Sequence, residues 1–123
     1  KQLIADGFST RVTLSTHALA DAVRRVSLLS NKVSPVQIKV DAESGVMTLV
    51  TNSQDIGNAQ ENLICEIEGE SVDIAFNYSF LLDGLNSITT DAVHLDLFGS
   101  MKPGILRATE GENFLYLIMP VRV

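Results

Sequence analysis

Polar and apolar residues alternate in short runs along most of this chain, and twice the alternation gives way to helical spacing. Residues 10–14 set Val12 and Leu14 on one side, the period of a half-buried strand. Ser15-Thr16 then offers an N-cap. Ala18, Leu19, Ala22, Val23, Val26 and Leu29 follow at intervals of three and four, one face of an amphipathic helix. His17, Asp21, Arg24 and Arg25 take the opposite side, and Ser30-Asn31 closes the helix. Residues 36–40 and 46–50 alternate again around a turn at 41–45, and a polar stretch over 51–58 leads into a third strand at 60–67.

After the turn Glu68-Gly69-Glu70 the order restarts. Residues 72–76 alternate and Asn77 can cap a helix. Phe80, Leu81 and Leu85 give that helix an apolar face, which Leu82 and Ile88 widen. Strands are predicted at 93–97, 105–108 and 114–119, separated by a loop at 99–103 and a turn at 110–113. The unit β-α-β-β-β therefore occurs twice, near 9–68 and 71–119. Neither half has enough sheet and helix to close a core, so the pattern predicts one domain over 1–123. The expected class is α+β, with two helices side by side on one face of antiparallel sheet. Parallel strands would read as continuous apolar runs, and these do not.

Composition narrows the setting. No apolar run approaches the ~20 residues needed to span a bilayer, so no membrane partner is expected. The single cysteine, Cys65, cannot form an internal disulfide and points to a reducing cytoplasm; its apolar strand context reads as a packed thiol. Lys1-Gln2-Leu3-Ile4 has neither a start Met nor a signal-peptide pattern, which reads as a piece of a longer chain. A net charge of −6 argues against a general nucleic-acid binder, yet leaves room for a small basic stripe on an acidic body.

Catalytic signals are sparse. The chain holds no GxGxxG, GxxxxGK[ST], GxSxG or HExxH. His17 opens a helix as a solvated residue. His94 alternates outward beside Asp96, and without a nucleophile motif the two read as a surface pair. Asp41 and Glu43 flank a turn with too few oxygens for a calcium loop. No catalytic residue, metal site or cofactor is expected. Arg24-Arg25 is either an ordinary solvated helix face or a pair of phosphate contacts that position a duplex without reading it. The second helix adds Ser79, Asp83, Asn86 and Ser87, so such contact would be weak and non-specific. The apolar end, residues 117–123, is either a last strand finishing a core or, beside Met101 and Pro103, an adaptable groove for a partner peptide.

Three segments together carry a resemblance over essentially the whole chain. They are Leu28-Leu29-Ser30-Asn31, Ile74-Ala75-Phe76-Asn77-Tyr78-Ser79-Phe80-Leu81-Leu82-Asp83-Gly84-Leu85, and Tyr116-Leu117-Ile118-Met119-Pro120-Val121-Arg122. In combination they resemble the third, C-terminal domain of the bacterial sliding clamp, the beta subunit of DNA polymerase III. The resemblance implies the DNA-clamp fold and a processivity factor without catalysis. In that family a head-to-tail homodimer of three-domain chains closes around duplex DNA, with helices lining the hole. Arg24 and Arg25 would then face DNA.

DNA polymerase III subunits, the clamp loader and repair proteins dock short linear motifs in a groove between the family's second and third domains. Matching positions imply a groove wall of Gln2, Leu3, Val33, Asn77, Phe80, Met101, Pro103, Leu117, Ile118, Met119, Pro120, Val121 and Arg122. Leu28 and Leu29, with Asp55 and Glu61, match the ring interface. The chain departs from the family at Ala5, where Pro is common, and at Val33, where an aromatic is common. A free-standing peptide-binding adaptor with the same doubled fold is the alternative from another class; an enzyme with an unrecognised site is a third.

Overall fold

The computed structural model describes residues 9–28, 35–53, 57–109 and 115–121. The elements in chain order are β1 (Thr10–Ser15), α1 (Thr16–Leu28), β2 (Pro35–Asp41), β3 (Val46–Ser53), β4 (Gly57–Ile64), β5 (Glu66–Gly69), β6 (Val72–Asn77), α2 (Tyr78–Asn86), β7 (Ala92–Leu97), β8 (Gly104–Ala108) and β9 (Leu115–Ile118). Both helix starts are capped by side chains. The Ala18 N–H donates to Ser15 Oγ at 3.1 Å, and the Phe80 N–H donates to Asn77 Oδ1 at 3.2 Å. The closure of α1 at Ser30-Asn31 lies outside the described residues.

The strands form two antiparallel sheets where the sequence pattern suggested one layer. One has the order β5-β1-β7-β8-β9 and the other β4-β3-β2-β6. Each half of the chain lends its first strand to the other half's sheet. β1 pairs with β7, Val12 opposite Leu95, and β6 pairs with β2, Ile74 opposite Ile38. Alternation tells which side of a strand is buried but not which strand lies beside it.

The strand expected at 60–67 is broken at Cys65. β4 ends on the β3 ladder at Ile64, and the Cys65 N–H donates to Gly45 O at 2.9 Å; β5 then pairs with β1 in the other sheet. Leu63, Cys65 and Ile67 all pack against the core, so the alternation runs straight through the break and hides it. At the end of β5, Gly69 has φ +103°, and a Cβ there would stand 2.1 Å from Ser9 O. Only glycine allows that approach.

One core joins both halves. Val12, Leu95, Leu97, Leu106 and Ile118 come from one sheet, and Ile38, Met47, Leu49 and Phe76 from the other. Leu19, Val23, Leu81 and Leu85 come from the helices. Each such side chain contributes about 1.5–3 kcal/mol on burial. α2 lies close on the sheet because Gly84 has no side chain: a Cβ there would come within 2.6 Å of Tyr116 and 2.7 Å of Leu106.

Candidate functional site

The last described strand and its tail make an exposed apolar edge. Leu115, Leu117 and Met119 stand two residues apart on the same side of the chain, exposed by 50%, 57% and 59%. Beyond them the tail is tied to β6: Pro120 bridges to Phe76, and the Val121 N–H donates to Ala75 O at 2.9 Å. One residue past Phe76, Asn77 opens α2 and sets Phe80 outward. Met101, in the β7–β8 loop, shares a cleft of about 350 Å³ with Ala75 and Val121. Leu115, Leu117, Met119, Phe80 and Met101 thus account for all the exposed large apolar side chains described except Ile64. Leu115, Leu117 and Met119 form one exposed apolar row, the arrangement that marks a binding surface.

The residues read as a groove wall divide four ways. Phe80, Met101, Leu117, Met119, Pro120 and Val121 lie along this edge. Pro103 is half-buried, and Asn77 is half-buried with its carboxamide oxygen engaged as the α2 cap. Ile118 is the correction: it is 1% exposed, pairs with Gly104 and belongs to the core, so it supports the wall from behind. Gln2, Leu3, Val33 and Arg122 lie outside the described residues. Leu115 was missed, although the signal exists. Residues 114–119 are apolar on both faces, so one apolar face had to point outward.

A second surface runs along the helices. Arg24 donates through Nη1 to Asp21 at 3.0 Å and through Nη2 to Asn86 Oδ1 on α2 at 3.1 Å. His17 Nε2 stands 3.1 Å from the other Asp21 oxygen. Arg25 makes a two-pronged contact with Glu61 on β4, at 3.0 and 3.1 Å. Its hydrogen bond holds the Glu61 carboxyl below the usual range and raises the Arg25 guanidinium. A residue read as DNA-facing and one read as ring interface are therefore partners in one ion pair. Both arginines remain about half exposed, but each already carries a carboxylate. Of the other interface residues, Leu28 ends α1, while Leu29 and Asp55 lie outside the described residues.

The expected His94–Asp96 surface pair does not form. Asp96 is fully buried on β7 and receives Arg11 Nε at 2.6 Å, Arg11 Nη2 at 2.8 Å and Arg107 Nε at 2.7 Å. His94 instead shares a 2.8 Å hydrogen bond with Thr13 Oγ1, and partial burial pushes its pKa down, with the Arg11 charge adding to the shift. The Cys65 thiol is half-buried, and burial pushes its pKa up, away from nucleophilic character. Among the described residues no group of three His, Cys, Asp or Glu side chains could hold a metal ion.

Comparison with known proteins decides the family. The model of the DNA polymerase III beta subunit, C-terminal domain, matches residues 1–122. This chain belongs to that family. It is 36% identical to the beta sliding clamp of Streptomyces coelicolor over 129 aligned positions, which take in all of this chain and 34% of that protein. The crystal structure of the DNA polymerase III beta subunit from Thermotoga maritima superposes with a TM-score of 0.88 at 29% identity, covering 98% of this chain and 33% of that one. A Pseudomonas aeruginosa sliding clamp bound to griselimycin gives 0.88 at 25%, covering 98% and 32%. The chain thus spans about a third of the length of the beta subunits it matches. The two antiparallel sheets and two helices described above are an α+β fold of the clamp kind.

Proposed function

We propose that this chain is a working third of one subunit of a sliding clamp. It presents α1 and α2 to duplex DNA inside a closed ring of paired chains, and it offers the β9 edge to short motifs of replication and repair proteins. It acts in the cytoplasm as a processivity factor and performs no catalysis of its own. DNA polymerase III subunits and the clamp loader are the partners the family suggests.

The exposed apolar edge from Leu115 to Met119, flanked by Phe80 and Met101, carries the docking part of this reading. Aliphatic and aromatic anchors seat a partner's apolar residues, and Met adapts to their shapes. The DNA-facing part is supported by the exposed helix face. Arginines already paired with Asp21 and Glu61 attract a phosphate without gripping it, which suits a ring that must slide. Leu28, Leu29, Asp55 and Glu61 complete the ring interface in this reading.

The test uses the full-length clamp chain. Met119→Ala with Phe80→Ala should abolish capture of a clamp-binding peptide while leaving ring closure intact. Arg24→Glu, which leaves the Arg25–Glu61 pair in place, should shorten residence on circular DNA while leaving ring closure and the peptide affinity unchanged. Unchanged peptide capture in the first variant removes the docking role, and unchanged residence in the second removes the DNA-facing role.

A further inference from the structure

The cleft behind Met101 and Val121 has lining of two chemistries. Met101, Val121 and Ala75 give it apolar lining, with Gln37 opposite Ala75 on β2; Ser100 and Asp73, the latter two residues from Ala75 along β6, add polar lining. An adjoining hollow of about 410 Å³ shares Asp73 and Ser100 and carries the path on to Ser71. The two hollows meet at Asp73 and Ser100, and we call them together the channel beside β6.

Asp73 is exposed in that channel and makes no ion pair among the described residues. Lys39 is its cross-strand neighbour on β2 and offsets part of its field. The chain as a whole carries −6, so its surface favours a positive partner at the unpaired carboxylate. The spacing is set by β6 itself. Val121 is bonded at Ala75, and Asp73 lies two residues further along the strand. An extended peptide advances about 3.3 Å per residue, so two residues cover about the same distance.

We propose that this channel selects partner peptides carrying a Lys or Arg two residues beyond the apolar anchor that seats on Met101 and Val121. The inference rests on the reading of the apolar edge as a peptide-docking surface. That surface supplies the affinity; Asp73 supplies a preference among peptides that all satisfy it.

The experiment titrates the full-length chain with labelled extended peptides that share the same leucine anchors at alternate positions. They differ only in having Lys or Glu two residues outside the anchor. The Lys peptide should bind about two- to fivefold tighter at low salt, the span one exposed ion pair supplies. Asp73→Asn should bring the ratio close to one, Asp73→Lys should invert it, and added salt should shrink it. Equal affinity of the two peptides for the unaltered chain, or a ratio that Asp73→Asn leaves in place, overturns the inference while the docking surface stands. Failure of both peptides to bind, or binding indifferent to Met119→Ala, overturns the docking surface and the inference with it. Asp73 is exposed on an edge strand, so its variants are expected to keep the fold.

Discussion

Asp96 stands at the centre of an ionic cluster that ties three strands together. Arg11 comes from β1, Asp96 from β7 and Arg107 from β8. Removing the carboxylate leaves two guanidinium groups facing each other, with Arg11 only 16% exposed. Asp96→Ala should therefore cost about 2–4 kcal/mol, somewhat under the range for a fully buried pair because Arg107 keeps contact with water. A urea unfolding curve measures it. His94, on the same sheet face, meets Thr13, Arg11, Asp96, Glu68 and Arg107. Its lowered pKa means that the folded chain binds its proton less readily than the unfolded chain does. The stability this contributes is present above the ordinary value of 6.5 and is lost as pH falls through the folded pKa. His94→Gln should flatten the decline in thermal stability between pH 7 and the onset of carboxylate titration. Alternation correctly placed Asp96 on the outer face of its strand. It could not show that two arginines, one of them 85 residues away, would fold over and bury it.

At the scale of the element, periodicity and capping residues located both helices and nearly every strand, because burial of one face is a local property of each segment. Sheet membership is not local, and there the reading fell short. Cys65 marks the change of sheet with no interruption of the apolar rhythm, and the signal lies instead in Gly45 and Gly69, both with positive φ. Gly69→Ala should destabilise the protein by at least about 1 kcal/mol, since the added Cβ meets Ser9 O and the backbone is strained for any other residue. Hydrogen exchange should show the loss first in the β1–β5 pairs between 10–13 and 66–69, with β7–β8 still protected. The apolar edge behaves differently. Met119→Ala and Phe80→Ala each touch exposed side chains and should change stability by no more than about 0.5 kcal/mol. Under the docking reading each should weaken peptide binding about tenfold, in the range typical of anchor residues. Calorimetric unfolding and peptide titration on the same samples separate the two effects.

For the whole molecule, charge sets what it can do alone. A net −6 and a helix face whose arginines are already paired leave little attraction for a duplex. The isolated chain should show no measurable DNA binding in a fluorescence anisotropy titration at physiological salt; under the proposed clamp function, retention should appear only with ring closure. The strand exchange has a consequence of another kind, for the time at which the fold can form. β1 is made well before β7, one of its two neighbours; Arg11 meets Asp96 only after 85 further residues have been added. At a synthesis rate of about 5–20 residues per second, that is on the order of ten seconds. Throughout that interval Val12 and Leu14 lack the strand that will cover them, exposed on the ribosome as a transient sticky segment. The first half cannot settle early and wait. Folding of this unit is held back until β7 has been made, and holdase chaperones have their widest opening on it before residue 97 emerges.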